Sequence, residues 1–250
     1  MRVSVHRIYL LDVEIAFDKF VKEFGGELVS ELILKSPDFD NADYLFRKDN
    51  IVAELKCLKK NQYGSEGIKK KFIKIHDKWL QEGLVTSSQI DTRAIDWTSL
   101  PRRCQNDLFK LIAEPIKTHV AKANSQIKLT KQHLGLLNAK GLLLLVNDGN
   151  YILEHNYVLY ALGRLLKTTY TSIDKLVYFT VNVKSMASDD SNITVWIPAR
   201  SREEVNEIHD DFLESLRKGW MSFVERETGE KIRQYEIESD EDVDDIRLIR

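Results

Sequence analysis

Residues 142–146 read Leu-Leu-Leu-Leu-Val, the longest purely aliphatic run in the chain. A strand with one wet face alternates apolar and polar residues, so a run with no polar member reads as a strand covered on both faces. Such a strand requires a layer on each side of its sheet, and the flanking sequence supplies candidates. Val13, Phe17, Phe20, Val21 and Phe24 recur at the spacing of one helical face, and Gly25-Gly26 ends that helix. Ile68, Phe72, Ile75 and Trp79 form a second stripe. Further helices are expected over 115–134, where Pro115 suits a first turn, and over 157–166 and 205–223. Strands are expected over 27–35, 42–47, 51–58, 141–146, 175–183 and 193–197, while 83–106 reads as an irregular polar excursion. Helix and strand alternate throughout, which predicts an α/β fold with a mixed central β-sheet flanked by helices.

Size and composition agree with this class. A chain of 250 residues with 43% hydrophobic side chains can bury a core without disulfides or a structural metal. Its two cysteines, Cys57 and Cys104, are too few for a disulfide scaffold or a four-cysteine zinc site. The aliphatic run is far shorter than the ~20 residues that span a bilayer. The first residues reach Asp12 and Glu14 without a cleavage signal, so a cytoplasmic protein with no membrane partner is expected. The net charge of −2 is unevenly spread. Residues 47–78 hold ten Lys or Arg against four acids, and residues 203–250 hold seven against sixteen. The second excess culminates in an acidic tail over 236–245.

The chemistry concentrates in the 42–58 hairpin, turned by Lys48-Asp49-Asn50. Residues two apart on a strand share a face, so Glu54 and Lys56 lie with Val52 and Leu58. Ile51, Ala53, Leu55 and Cys57 make the opposite face wholly apolar, and Cys57 therefore reads as core. The hairpin brings Asp43 toward the same edge as Glu54. Two converging carboxylates suit a hard cation such as Mg²⁺ or Mn²⁺, which takes one or two carboxylates plus water and phosphate oxygens. A neighbouring lysine can orient water or neutralise charge on a phosphate. Glu54-Leu55-Lys56 is the only acidic-x-Lys tripeptide in the chain. The plain alternative is a solvated hairpin in which Glu54 and Lys56 are an ordinary surface pair.

A first helix bearing Glu14, then Asn41-Ala42-Asp43-Tyr44-Leu45-Phe46 and Ile51-Val52-Ala53-Glu54-Leu55-Lys56, resembles the core of the PD-(D/E)xK superfamily, the restriction-endonuclease-like nucleases. The resemblance covers residues 10–60 and 115–146, leaving 60–114 as an insertion and 150–250 as a C-terminal elaboration of a single domain. It implies Asp43 and Glu54 as metal ligands, Lys56 as the catalytic lysine, and Glu14 and Gln126 as assisting residues. The dipeptide Pro37-Asp38 offers another aspartate five residues upstream; Asp43 is preferred because it opens a strand adjoining that of Glu54.

Lys69 and Lys70 lie off the apolar stripe of their helix, and Lys122 and Lys128 belong to a 115–147 segment with five lysines and no acid. Each lysine set suits a phosphate backbone and equally a solvated helix face. The six histidines show no ligand spacing. The expected function is a Mg²⁺-dependent nuclease acting on DNA, with a role in restriction or antiviral defence implied by the resemblance alone. A homodimer or a partner protein supplying recognition or motor activity would fit such a role. The competing expectation is an inactive nucleic-acid-binding or protein-interaction module on the same fold.

Overall fold

The computed structural model describes residues 11–33, 39–59, 66–86, 99–150, 155–166, 170–186, 192–200, 208–232 and 247–249. Helix α1 (Val13–Phe24) is capped by the Asp12 carboxylate, which accepts from the Ile15 N–H, and closes on Gly25 at φ 91°. Strand β1 (Glu27–Leu28) and a single turn α2 (Val29–Leu32) follow. Strands β2 (Tyr44–Phe46) and β3 (Ile51–Lys59) form the expected hairpin, joined by a 3-10 turn in which Asn50 takes φ 56°. Next come α3 (Glu66–Gln81), α4 (Arg102–His133), β4 (Lys140–Asp148), α5 (His155–Leu166) and β5 (Lys175–Val181). The described chain ends with β6 (Lys184–Met186), β7 (Asn192–Ile193), β8 (Trp196–Arg200), α6 (Asp210–Thr228) and β9 (Arg247–Ile249).

Among the described residues the main sheet has six strands in the order β1-β2-β3-β4-β5-β8, and β7-β6-β9 make a small second sheet. The β1/β2, β2/β3 and β5/β8 pairs are antiparallel, whereas β3/β4 and β4/β5 are parallel. The fold is therefore α/β with a mixed sheet. Parallel strands need a crossover connection. Helix α4 lies in the one between β3 and β4, and α5 in the one between β4 and β5. Both helices pack on one face, where Ile116, Val120, Ala123 and Ile127 of α4 meet Val52, Leu58, Leu143 and Leu145. Helices α1 and α6 cover the other face over Ala53, Leu55, Cys57 and Leu144. There the rings of Phe17 and Trp220 stand 4.8 Å apart. Cys57 is core, as expected.

Several boundaries differ from the sequence reading, each for a packing reason. The strand expected over 27–35 stops at Leu28, because β2 offers it only a short partner. Val29, Leu32 and Ile33 then follow helical spacing into the core beneath α4 and α5. Pro115 does not start a helix: α4 begins after Pro101 and runs through Pro115. A proline inside a helix removes one backbone hydrogen bond. Cys104 and Leu108 offset that loss by packing with Trp79, Val85 and Leu100, and the Trp79 indole donates to Asp107 at 3.2 Å. Part of the expected 83–106 excursion is thus helical, and 87–98 lies outside the described residues. The strand expected over 193–197 is two strands in different sheets, β7 and β8, and Pro198 sits on the edge strand where its missing N–H is tolerated. Asn182, at φ 56°, separates β5 from β6 within the strand expected over 175–183. Residues 205–207 of the expected last helix, Pro37-Asp38 and the 236–245 tail lie outside the described residues. Beyond residue 150, α5, β5, β8 and α6 complete the main sheet and its two layers rather than decorating a finished core.

At the start of β4, Gly141 touches the 170–174 loop through its backbone. Its N–H donates to the Asp174 carboxylate at 2.6 Å and its carbonyl accepts from the Asp174 N–H at 2.8 Å. A Cβ there would lie 1.8 Å from the Ser172 carbonyl oxygen. Gly141→Ala should therefore cost about 3 kcal/mol, at the upper end for overpacking, because backbone must move. A denaturant melt checks this, and a change within ~0.5 kcal/mol would contradict the close approach.

Candidate active site

The β2/β3 register pairs Tyr44 with Ala53 and Leu45 with Val52. One step further, Asp43 stands across from Glu54 on the face that α4 covers. Asp43 has left the ladder: its carbonyl accepts from the Val29 N–H at 2.9 Å, and its side chain Oδ2 accepts from the Leu55 N–H at 2.9 Å. The carboxylate thus stands in for a strand carbonyl and is fixed beside Glu54. Glu54 lies between Val52 and Lys56 on the same strand and is only 1% exposed. It pairs with the Lys56 ammonium, whose side chain is 13% exposed. A solvated surface pair is therefore not what the hairpin holds.

The electrostatics of this cluster are unfavourable without a further partner. Burial raises the Glu54 pKa to about 8, and the Asp43 charge adds to the rise while Lys56 opposes it. Burial also raises Asp43, against the Leu55 N–H and the Lys56 charge. The Asp43 charge bears directly on Glu54, so holding both carboxyls ionised at once is unfavourable. Glu54 Oε2 is buried and has no hydrogen-bond partner among the described residues. An orphaned carboxylate oxygen inside a protein is costly.

Helix α4 closes the site from above. Gln126 is buried, its Nε2 donates to the Asn41 carbonyl at 2.8 Å, and its Oε1 has no partner among the described residues. Thr130, one turn on, accepts from the Ala42 N–H at 2.8 Å. These two bonds tie residues 41–42 to the helix and so aim the adjacent Asp43. The expected Gln126 is thus brought to the carboxylate segment, whereas Glu14 is not. It is exposed on α1, over the opposite face of the sheet, and pairs with Lys59 at 3.3 Å. Lys122 pairs with Asp40 at 3.1 Å, Lys69 with Glu66 at 2.9 Å, and Lys70 and Lys128 are exposed.

Two residues absent from the expected set join the site. Burial, together with the charges of Lys56 and Lys122, holds His119 below its ordinary value and therefore neutral at pH 7. It was readable only as lying seven residues, two turns, before Gln126. Asp18 on α1 accepts from the Tyr44 hydroxyl at 3.0 Å, and its charge reaches Asp43. It stands one turn beyond Glu14, and a spacing argument has no means of choosing between the two turns.

Among the described residues, no group of three or more His, Cys, Asp or Glu side chains converges to cage a metal. The pair Asp43 and Glu54 is nevertheless a fitting donor set for a hard divalent cation, which binds through one or two carboxylates and keeps its other positions for water and substrate. A cation there would relieve the repulsion between the carboxylates and occupy the unpartnered Glu54 Oε2. No family model, curated protein or solved structure matches this chain.

A raised folded-state pKa means that the folded protein binds the Glu54 proton more tightly than the unfolded chain does. The associated stability is full below about pH 4.3, the unfolded value, and is lost as pH rises through about 8. Metal-free protein should therefore lose up to ~4 kcal/mol between those limits. Glu54→Gln, which keeps the shape and removes the charge, should raise the metal-free Tm at pH 8 by up to about 8–16 °C. Melts across pH in a chelator check both. A lower Tm for Glu54→Gln would mark Glu54–Lys56 as an ordinary stabilising pair.

Proposed function

We propose that the protein is a divalent-metal-dependent nuclease that hydrolyses phosphodiester bonds of nucleic acid, with DNA as the favoured substrate. The observation that carries this reading is the pair of carboxyls, Asp43 and Glu54, both raised by burial and set beside the Lys56 ammonium, with one Glu54 oxygen unpartnered among the described residues. The order of elements adds support. Helix α1 precedes the β2/β3 hairpin, and after the insertion that carries α3 come α4 and then β4, parallel to the lysine strand, in the order the PD-(D/E)xK resemblance implies.

Asp43 and Glu54 would hold Mg²⁺ or Mn²⁺, which when bound supplies Lewis-acid charge at the phosphodiester. Lys56, kept in place by Glu54, donates to the attacking water or to a non-bridging phosphate oxygen, where negative charge grows as the bond forms. Gln126, anchored through its Nε2, retains Oε1 to accept a hydrogen bond from that water and orient it. His119 is neutral at pH 7 and so adds no second positive charge beside Lys56. Burial between the sheet and α4 keeps bulk water from screening these charges. The exposed lysines of α3 and α4 provide attraction for a phosphate backbone.

Purified protein should cut labelled DNA with Mg²⁺ or Mn²⁺ and stop in a chelator. Lys56→Ala should lower the rate by about 100-fold or more, while melts and circular dichroism report a folded chain. Glu14→Ala should cut like wild type, given its place on the other face of the sheet. Full activity in Lys56→Ala would overturn the assignment. Absence of both cleavage and cation binding with DNA and RNA alike would favour an inactive binding module.

A further inference from the structure

A cavity of about 410 Å³ opens between the first turns of α4 and α5, on the far side of Pro115 from Gln126. Arg102, Gln105, Asn106 and Phe109 line it from α4, and Asn156 and Tyr160 from α5. A second cavity of about 260 Å³ shares Asn106 and Phe109 and adds Lys110 and Arg164. Among the described residues, every charged side chain lining the two is basic. Lys110 also reaches Asp107, at 3.7 Å.

Tyr160 is 58% exposed, unusual for so large an apolar residue. It is held in place rather than loose: Phe109 meets it edge to face at 5.0 Å, and the Arg164 guanidinium lies 5.6 Å from the Phe109 ring centre and 5.8 Å from that of Tyr160. The site therefore offers a fixed aromatic platform, amide groups that can both donate and accept, and positive charge with no acid among the described lining residues. A ligand that uses all three has a flat π-system, hydrogen-bonding edges and an anionic group.

We propose that this cavity is a stacking subsite for an unpaired nucleotide of a nucleic-acid strand, its base on Tyr160 and its backbone phosphate near Arg102 and Lys110. The choice of a strand over a free nucleotide rests on the nuclease reading above, because α4 itself leads from here to the candidate site. Phe109 and His119 are ten residues apart, about 15 Å along a helix, and the exposed Lys117 continues the positive charge beyond Pro115, with Lys122, which also pairs with Asp40, further on. One helix would then grip the unpaired strand at its first half and cover the scissile bond with its second.

The test is fluorescence anisotropy with the full chain in a chelator, using labelled dT and U oligonucleotides of about 12 nucleotides and a duplex of equal length. Tyr160→Ala should weaken single-strand binding by about tenfold, leave duplex binding unchanged and melt like wild type. Tyr160→Phe, which keeps the ring, should bind as wild type does. Arg102→Ala should weaken single-strand binding and flatten its salt dependence by about one unit of slope. No single-strand binding by wild type, wild-type affinity in Tyr160→Ala, or an equal loss on duplex would each overturn the subsite. So would a thymidine mononucleotide bound as tightly as the oligonucleotide, which would mark a free-nucleotide site. Binding in chelator does not depend on the carboxylates. Failure of cleavage alongside the expected binding pattern therefore removes the nuclease reading and leaves the subsite standing.

Discussion

Strand β3 carries two demands that conflict. It lies in the middle of the sheet, paired to β2 on one side and to β4 over nine residues on the other, so both its faces are buried. Yet it places a glutamate and a lysine side by side on one of those faces, where an apolar pair of similar size would pack without desolvation cost. The rest of the molecule is arranged around this conflict. Asp43 takes over a strand hydrogen bond so that its carboxylate can stand beside Glu54, and α4 is laid over both. The result is a core that is locally worse than it could be, in a way that a divalent cation would repair. Local destabilisation of this kind is the usual mark of a site kept for function rather than for folding.

Helix α4 links the parts. Its second half packs on β3 and β4 and pins residues 41 and 42 through Gln126 and Thr130. Its first half packs against Trp79 of α3 and borders α5. Pro115 falls between these two sets of partners, where the lost backbone hydrogen bond is tolerated because packing on either side holds the helix. Helix α4 therefore supplies a cover for the carboxylates and a wall for the aromatic cavity. The proposed path of a strand along α4 depends on that continuity.

Much of this was legible in the sequence because period-two alternation is a strong signal in a buried strand. The assignment of Val52, Glu54, Lys56 and Leu58 to one face, and of Ala53, Leu55 and Cys57 to the other, follows from spacing alone, and the two core clusters divide them in that way. The α1 stripe and its Gly25 stop were equally plain. What stayed hidden depended on contacts distant in the chain. Pro115 reads as a helix start until Cys104 and Leu108 are seen to have Trp79 as a partner. A strand ending at Leu28 is invisible until the length of β2 is known. His119 lacks ligand spacing and enters the site only through helix position. Glu14 and Asp18 differ by one helical turn, and only the Tyr44 hydroxyl distinguishes them.

The central claim is that Asp43 and Glu54 form a divalent-cation site held partly protonated until the cation arrives. Calorimetric titration of Mn²⁺ at pH 7, in buffers of different ionisation enthalpy, reads binding and proton release together. With the Glu54 pKa near 8, binding should release close to one proton, and Glu54→Gln and Asp43→Asn should abolish both binding and release. Mn²⁺ binding that is undiminished in these variants, or that releases no proton, would contradict the account.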